Sequence, residues 1–124
     1  MAKYPCELFA HFYYSPKLTY EELHQKESEL LQEVDLLLTN EGGIHLEFTP
    51  GSDSLAVQGE LAEFNRKFSD RIAEQIRKLL PAQIEVRMLL VEKEDMGSVL
   101  LYSITPKKAE CKETAIKRPF TGKE

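Results

Sequence analysis

Residues Cys6 to Ser15 read CELFAHFYYS. The run is rich in aromatics and free of proline and glycine, so it predicts a strand over 6–14. Successive side chains of a strand point to opposite faces. Cys6, Leu8, Ala10, Phe12 and Tyr14 share one face, and Glu7, Phe9, His11 and Tyr13 share the other. Both sides are greasy, so a small sheet with one face simply left to water does not account for this strand. Something has to cover the second side.

The rest of the chain supplies cover for only one side. Pro16 breaks the first strand, and TYEE opens a helix in which Thr19 caps the amide of Glu22 and Glu22 reaches back to Thr19. Tyr20, Leu23, Leu30, Leu31, Val34, Leu37 and Leu38 carry its helical spacing, with a gap at Lys26 and Glu27, and Gly42 or Gly43 ends it. IHLEF alternates as a half-buried strand, with Ile44, Leu46 and Phe48 inward. Residues 54–59 read as a short strand, although Val57 also fits the stripe of the following helix. That second helix spans roughly 60–80, on Leu61, Phe64, Phe68, Ile72, Ile76, Leu79 and Leu80, and Pro81 stops it. QIEVRMLLVEKE and SVLLYSIT are strands joined by a turn at EDMG.

The order strand, helix, strand, strand, helix, strand, strand predicts an α+β fold: a two-layer sandwich with both helices on one face of a mostly antiparallel sheet. The ferredoxin-like split βαβ is the nearest common architecture, with one strand added. The expected organisation is a single domain over 1–105 and a basic tail over 106–124. Charge is uneven across that division. Residues 1–105 hold 10 basic and 18 acidic side chains, a balance of −8, and residues 106–124 hold 6 and 3, a balance of +3.

The 124-residue length fits one domain, and a hydrophobic share of 42% allows a core that needs no staple. No window is long and apolar enough to span a bilayer. The start, MAKYPCELF, has no apolar h-region, which argues against a secretory signal and for a cytoplasmic protein. Cys6 and Cys111 are then expected as free thiols. The acidic body repels phosphate backbones, so nucleic acid is disfavoured as a partner. Sheet-surface RNA recognition also needs basic, aromatic strands, and the fourth strand has no aromatic ring.

No catalytic pattern is present. There is no GxSxG elbow, P-loop or dinucleotide fingerprint, and Cys6 and His11 fall on opposite faces of one strand. His11 with Tyr13, supported by Glu47 or Glu85, offers acid–base groups, but an interface or ligand contact is the plainer reading. His11, His45 and Glu47 lack any zinc-ligand spacing, so no metal and no cofactor are expected. His24 reads as a solvated surface imidazole.

What remains is the uncovered face. Phe9, His11 and Tyr13 on the first strand, with Arg87, Leu89 and Val91 on the fourth, form the expected ligand or interface set. A patch of that kind approaches the largest area a monomer tolerates, several hundred Å². The leading expectation is a non-catalytic interaction or regulatory module that self-associates as a homodimer through this face. The tail folding back on Ile116 and Phe120 is a competing cover. A small ligand or substrate held around His11 and Tyr13 is the second functional reading. The third is a protein partner docking on the acidic first helix, at Glu29 and Glu33.

Overall fold

The computed structural model describes residues 5–51, 53–93 and 98–115. The elements are β1 (Cys6–Tyr14), α1 (Tyr20–Asn40), β2 (Ile44–Pro50), β3 (Ser54–Leu61), α2 (Arg66–Leu79), β4 (Ile84–Glu92), β5 (Ser98–Ile104) and β6 (Ala109–Ala115). They build an α+β fold with one six-stranded sheet of order β2-β3-β1-β4-β5-β6. Every neighbouring pair is antiparallel. β1 therefore lies mid-sheet, between β3 and β4.

One face of the sheet and both helices make the core. Leu8, Ala10 and Phe12 of β1, Val86, Met88 and Leu90 of β4, and Leu100, Tyr102 and Ile104 of β5 pack with Leu30, Val34 and Leu38 of α1 and Phe68, Ile72 and Ile76 of α2. The four-residue spacing of these helical residues keeps them on one stripe of each helix, and that stripe lies on the sheet.

Local chemistry sets the helix ends. Thr19 accepts from the Glu22 amide at 3.2 Å. Glu22 reaches back to Thr19 as expected, but at the side chain: its carboxylate accepts from the Thr19 hydroxyl at 2.9 Å. Gly42 leaves α1 at φ 86. Glu41 follows the last turn of α1 and accepts from Arg71 at 2.5 Å and from Gln75 at 3.0 Å, which ties α1 to α2. The polar gap in the α1 stripe is also used, because the buried Tyr14 hydroxyl donates to Glu27 at 2.8 Å.

Three expectations change. Residues 54–59 are strand, as favoured, but the strand continues to Leu61 and α2 starts only at Arg66. Leu61 shares the helical period, yet it sits opposite Cys6 in the ladder. Asn65 is the true helix start, accepting from the Phe68 amide at 2.8 Å. The folded body also continues past Pro106: Ala109–Ala115 adds β6 to β5, one strand more than the periodicity predicted. The EDMG turn (94–97), Ile116 and Phe120 lie outside the described residues.

Gly59 fixes how β2 joins the sheet. A Cβ there would stand 2.6 Å from Leu46 Cδ2 and 3.1 Å from the Ile44 carbonyl oxygen. Next to it the β2 register shifts between Ile44 and Glu47, and His45 adopts φ 52. Gly59→Ala should therefore lower unfolding free energy by about 1–3 kcal/mol through overpacking. Urea denaturation checks this, and the double variant Gly59→Ala/Leu46→Ala should regain part of the loss. A Gly59→Ala variant as stable as wild type would show that β2 has slack at this point.

Candidate functional site: the open face of the sheet

Alternation in the strands assigns the second face, and register aligns it. Phe9 lies opposite Leu89, which lies opposite Leu101. Glu7 lies opposite Val91, which lies opposite Val99. His11 lies opposite Arg87, which lies opposite Ser103. Phe9, Leu89, Val91, Val99 and Leu101 thus form an apolar island across the three central strands. None of them belongs to the core cluster or packs against it. Val99 is buried, Phe9, Leu89 and Val91 are half-buried, and Leu101 is 37% exposed.

Polar groups frame the island. His11 and Arg87 are exposed on its lower margin, and Tyr13 is 47% exposed. The His11 and Tyr13 rings stack with centroids 5.3 Å apart and planes 18° from parallel. Beyond Tyr13 is a cavity of about 410 Å³ between Tyr13, Tyr14, Ser15, Pro16, Ala82, Gln83 and Glu85. The upper corner is charged: Glu7, His45, Glu47, Glu60 and Lys93 line a hollow of about 230 Å³. There His45 Nδ1 is 2.7 Å from Glu60 Oε1, and the other Glu60 oxygen pairs with Lys93.

The structure brings together six residues singled out from sequence. Phe9, His11 and Tyr13 share one side of β1, and Arg87, Leu89 and Val91 share the same side of β4. It separates His11 from Glu47. The residue opposite His11 on β3 is Ala56, and Glu47 pairs with Gln58 one row away. His45 and Glu47 instead belong to the Glu60–Lys93 corner. Among the described residues, no group of three or more His, Cys, Asp or Glu side chains is arranged to hold a metal ion. Glu29 and Glu33 are exposed on α1, and Glu33 borders a furrow between the helices floored by Leu36, Leu37 and Leu79.

Leu101 and Val99 escaped the expected set. The signal was present in SVLLYSIT, where both neighbours of Leu100 are apolar. What was missing was the register that sets Leu101 beside Leu89.

Both thiols and the phenols of Tyr14 and Tyr102 are held on the other side. Cys6 is fully buried on the core face, and burial, aided by the Glu7 carboxylate, pushes its thiol up to about 12. Tyr102 donates to Asp70 at 2.7 Å, and Arg66 holds Asp70 and Glu113 at 2.9 and 3.0 Å. These contacts tie β5, α2 and β6 together and leave the open face out. Neither cysteine is bridged.

No protein-family model, curated protein or solved structure matches the chain. Among the described residues no helix is long and apolar enough to cross a membrane.

Proposed function

We propose that the protein is a non-catalytic cytoplasmic interaction module whose copies associate as a homodimer through the open face of the sheet. The observation that carries this reading is the unbroken cross-strand row Phe9, Leu89, Leu101, with Val91 and Val99 beside it, on the face opposite the core. An apolar island rimmed by His11, Tyr13 and Arg87 has the make-up of an interface: apolar centre, polar rim, aromatic and arginine side chains at the margin. Burying ~400 Å² of apolar surface, summed over the two copies, contributes on the order of 10 kcal/mol before the cost of association is subtracted. A two-fold contact brings the same patch from both copies, so one island suffices. Two unbridged thiols, one of them deeply buried, suit a reducing compartment.

The same reading takes the fold as a ferredoxin-like split βαβ. β2-β3-β1-β4 would be its four-stranded unit, and β5 and β6 would extend it on the β4 side. Both β1 and β2 run antiparallel to β3, so they are parallel to each other and α1 crosses between them.

Solution mass tests the association. The wild-type chain is expected at twice 14.3 kDa or more at low micromolar concentration. Leu101→Glu, which adds a charge to a residue already partly in water, should halve the mass and leave far-UV dichroism unchanged. A wild-type mass of one chain, or a Leu101→Glu mass equal to wild type, overturns the reading.

A second reading, small-ligand binding, is favoured by the cavity beside the stacked His11 and Tyr13 rings. It would place the ligand against Tyr13 and Glu85 and leave the apolar row unexplained.

A further inference from the structure

The outer border of β6 is a surface separate from the open face. Among the described residues β6 ends the sheet order, and its register on β5 runs without a shift from the Ile104–Ala109 pair to the Ser98–Ala115 pair. The opposite border is different: β2 is bulged beside His45 and ends on Pro50. β6, AECKETA, has no bulge, proline or glycine to blunt it.

The turn before β6 fixes which of its backbone groups are free. Thr105 N–H donates to the Lys108 carbonyl at 2.8 Å. Antiparallel pairs alternate between bonded and non-bonded. Ser103–Glu110 and Leu101–Lys112 are then bonded pairs within the sheet. Residues 109, 111 and 113 consequently turn their N–H and C=O groups outward.

A second β6 meeting this border about a two-fold axis must pair outward groups with outward groups. Registers that overlap most of the strand are centred on Cys111, Lys112 or Glu113. Centring on Lys112 sets two ammonium groups directly opposite, and centring on Glu113 sets two carboxylates opposite. Centring on Cys111 sets Glu110 against Lys112 of the partner subunit, twice, and opposes no like charges. Glu110 and Lys112 are exposed and lie on the same side of the strand.

We propose that β6 pairs antiparallel with β6 of a second copy about a two-fold axis at Cys111, joining two sheets into one. The Cys111 Cα atoms then stand about 5.5 Å apart, the spacing of a bonded antiparallel pair. That lies inside the range a disulfide can span.

The test oxidises the full chain with diamide at low micromolar concentration and follows the bridged dimer on a non-reducing gel. Wild type and Cys6→Ser should bridge, and Cys111→Ser should not. Lys112→Glu, which opposes carboxylate to carboxylate, should bridge about tenfold more slowly. The charge exchange Glu110→Lys/Lys112→Glu should restore the wild-type rate, a rescue that collision between free thiols does not give. Far-UV dichroism of the two charge variants checks that both are folded. No bridge in wild type, or Lys112→Glu bridging at the wild-type rate, overturns the proposal, as does failure of the exchange to restore it. Leu101→Glu separates the two contacts. Bridging that persists when Leu101→Glu leaves the mass unchanged supports the edge and removes the face. A mass halved by Leu101→Glu with no bridge in wild type does the reverse.

Discussion

Truncating Phe12 to alanine should cost about 3–5 kcal/mol of unfolding free energy, the usual range for a large aromatic lost from a packed core. Phe12 is fully buried in the core cluster, between Leu55 of β3 and Val86 of β4. Phe9→Ala, three residues earlier on the same strand, should behave differently. Phe9 is half-buried and outside the core cluster, so in dilute monomer its loss should cost less than about 1.5 kcal/mol. Its larger effect should fall on association, weakening the face contact by at least about tenfold, as expected for an aromatic anchor near the centre of an interface. Urea unfolding at nanomolar and at tens of micromolar concentration separates the two effects. Equal losses for both variants at both concentrations would mean that the two faces of β1 are the same kind of environment, and the interface reading would fall.

The second large effect is alkaline. Burial first, then Glu7, holds the Cys6 thiol at about 12 against an ordinary 9.0. Burial first, then the bond to Glu27, raises Tyr14 above its ordinary 10.0, and burial and Asp70 raise Tyr102. All three stay protonated in the fold while the unfolded chain ionises. The unfolded state then binds fewer protons, so stability falls as pH rises. It is fully present below about pH 9. From there to about pH 12 Cys6 alone should remove about 1.4 kcal/mol per pH unit, and the tyrosines add to the slope above about pH 10. Chemical denaturation between about pH 8 and pH 11 measures this. Cys6→Ala should lower the slope by one proton, and Tyr14→Phe by a second above pH 10. An unchanged slope in Cys6→Ala would show that the thiol is not kept neutral by the fold.

Much of the architecture was legible because period and punctuation agreed. In β1 and β4 the alternation alone assigns every face, and the ladder Phe9–Leu89 follows once both strands are central. Helical period located α2 but not its first residue. Leu61 satisfies the three- and four-residue spacing and also the strand ladder, and only the Asn65 cap decides between them. β6 was hidden for a plainer reason. AECKETA has little apolar content, and its strand character comes from pairing with SVLLYSI rather than from its own composition. For the same reason charge counting placed these residues in a tail. The bulge at His45 was not readable either, because the apolar alternation of IHLEF runs straight through it and only the ladder shows the register shift and the positive φ.

The left-handed turn of the backbone at His45 has a consequence for crowding. A ribbon whose two margins both accept a neighbour can lengthen without limit, and that is how strands become fibrils. Here one margin is bent out of line and finished by a residue that has no amide hydrogen to offer. Any joining along the other margin is complete after a single event, and the product presents only the spoiled margin at each end.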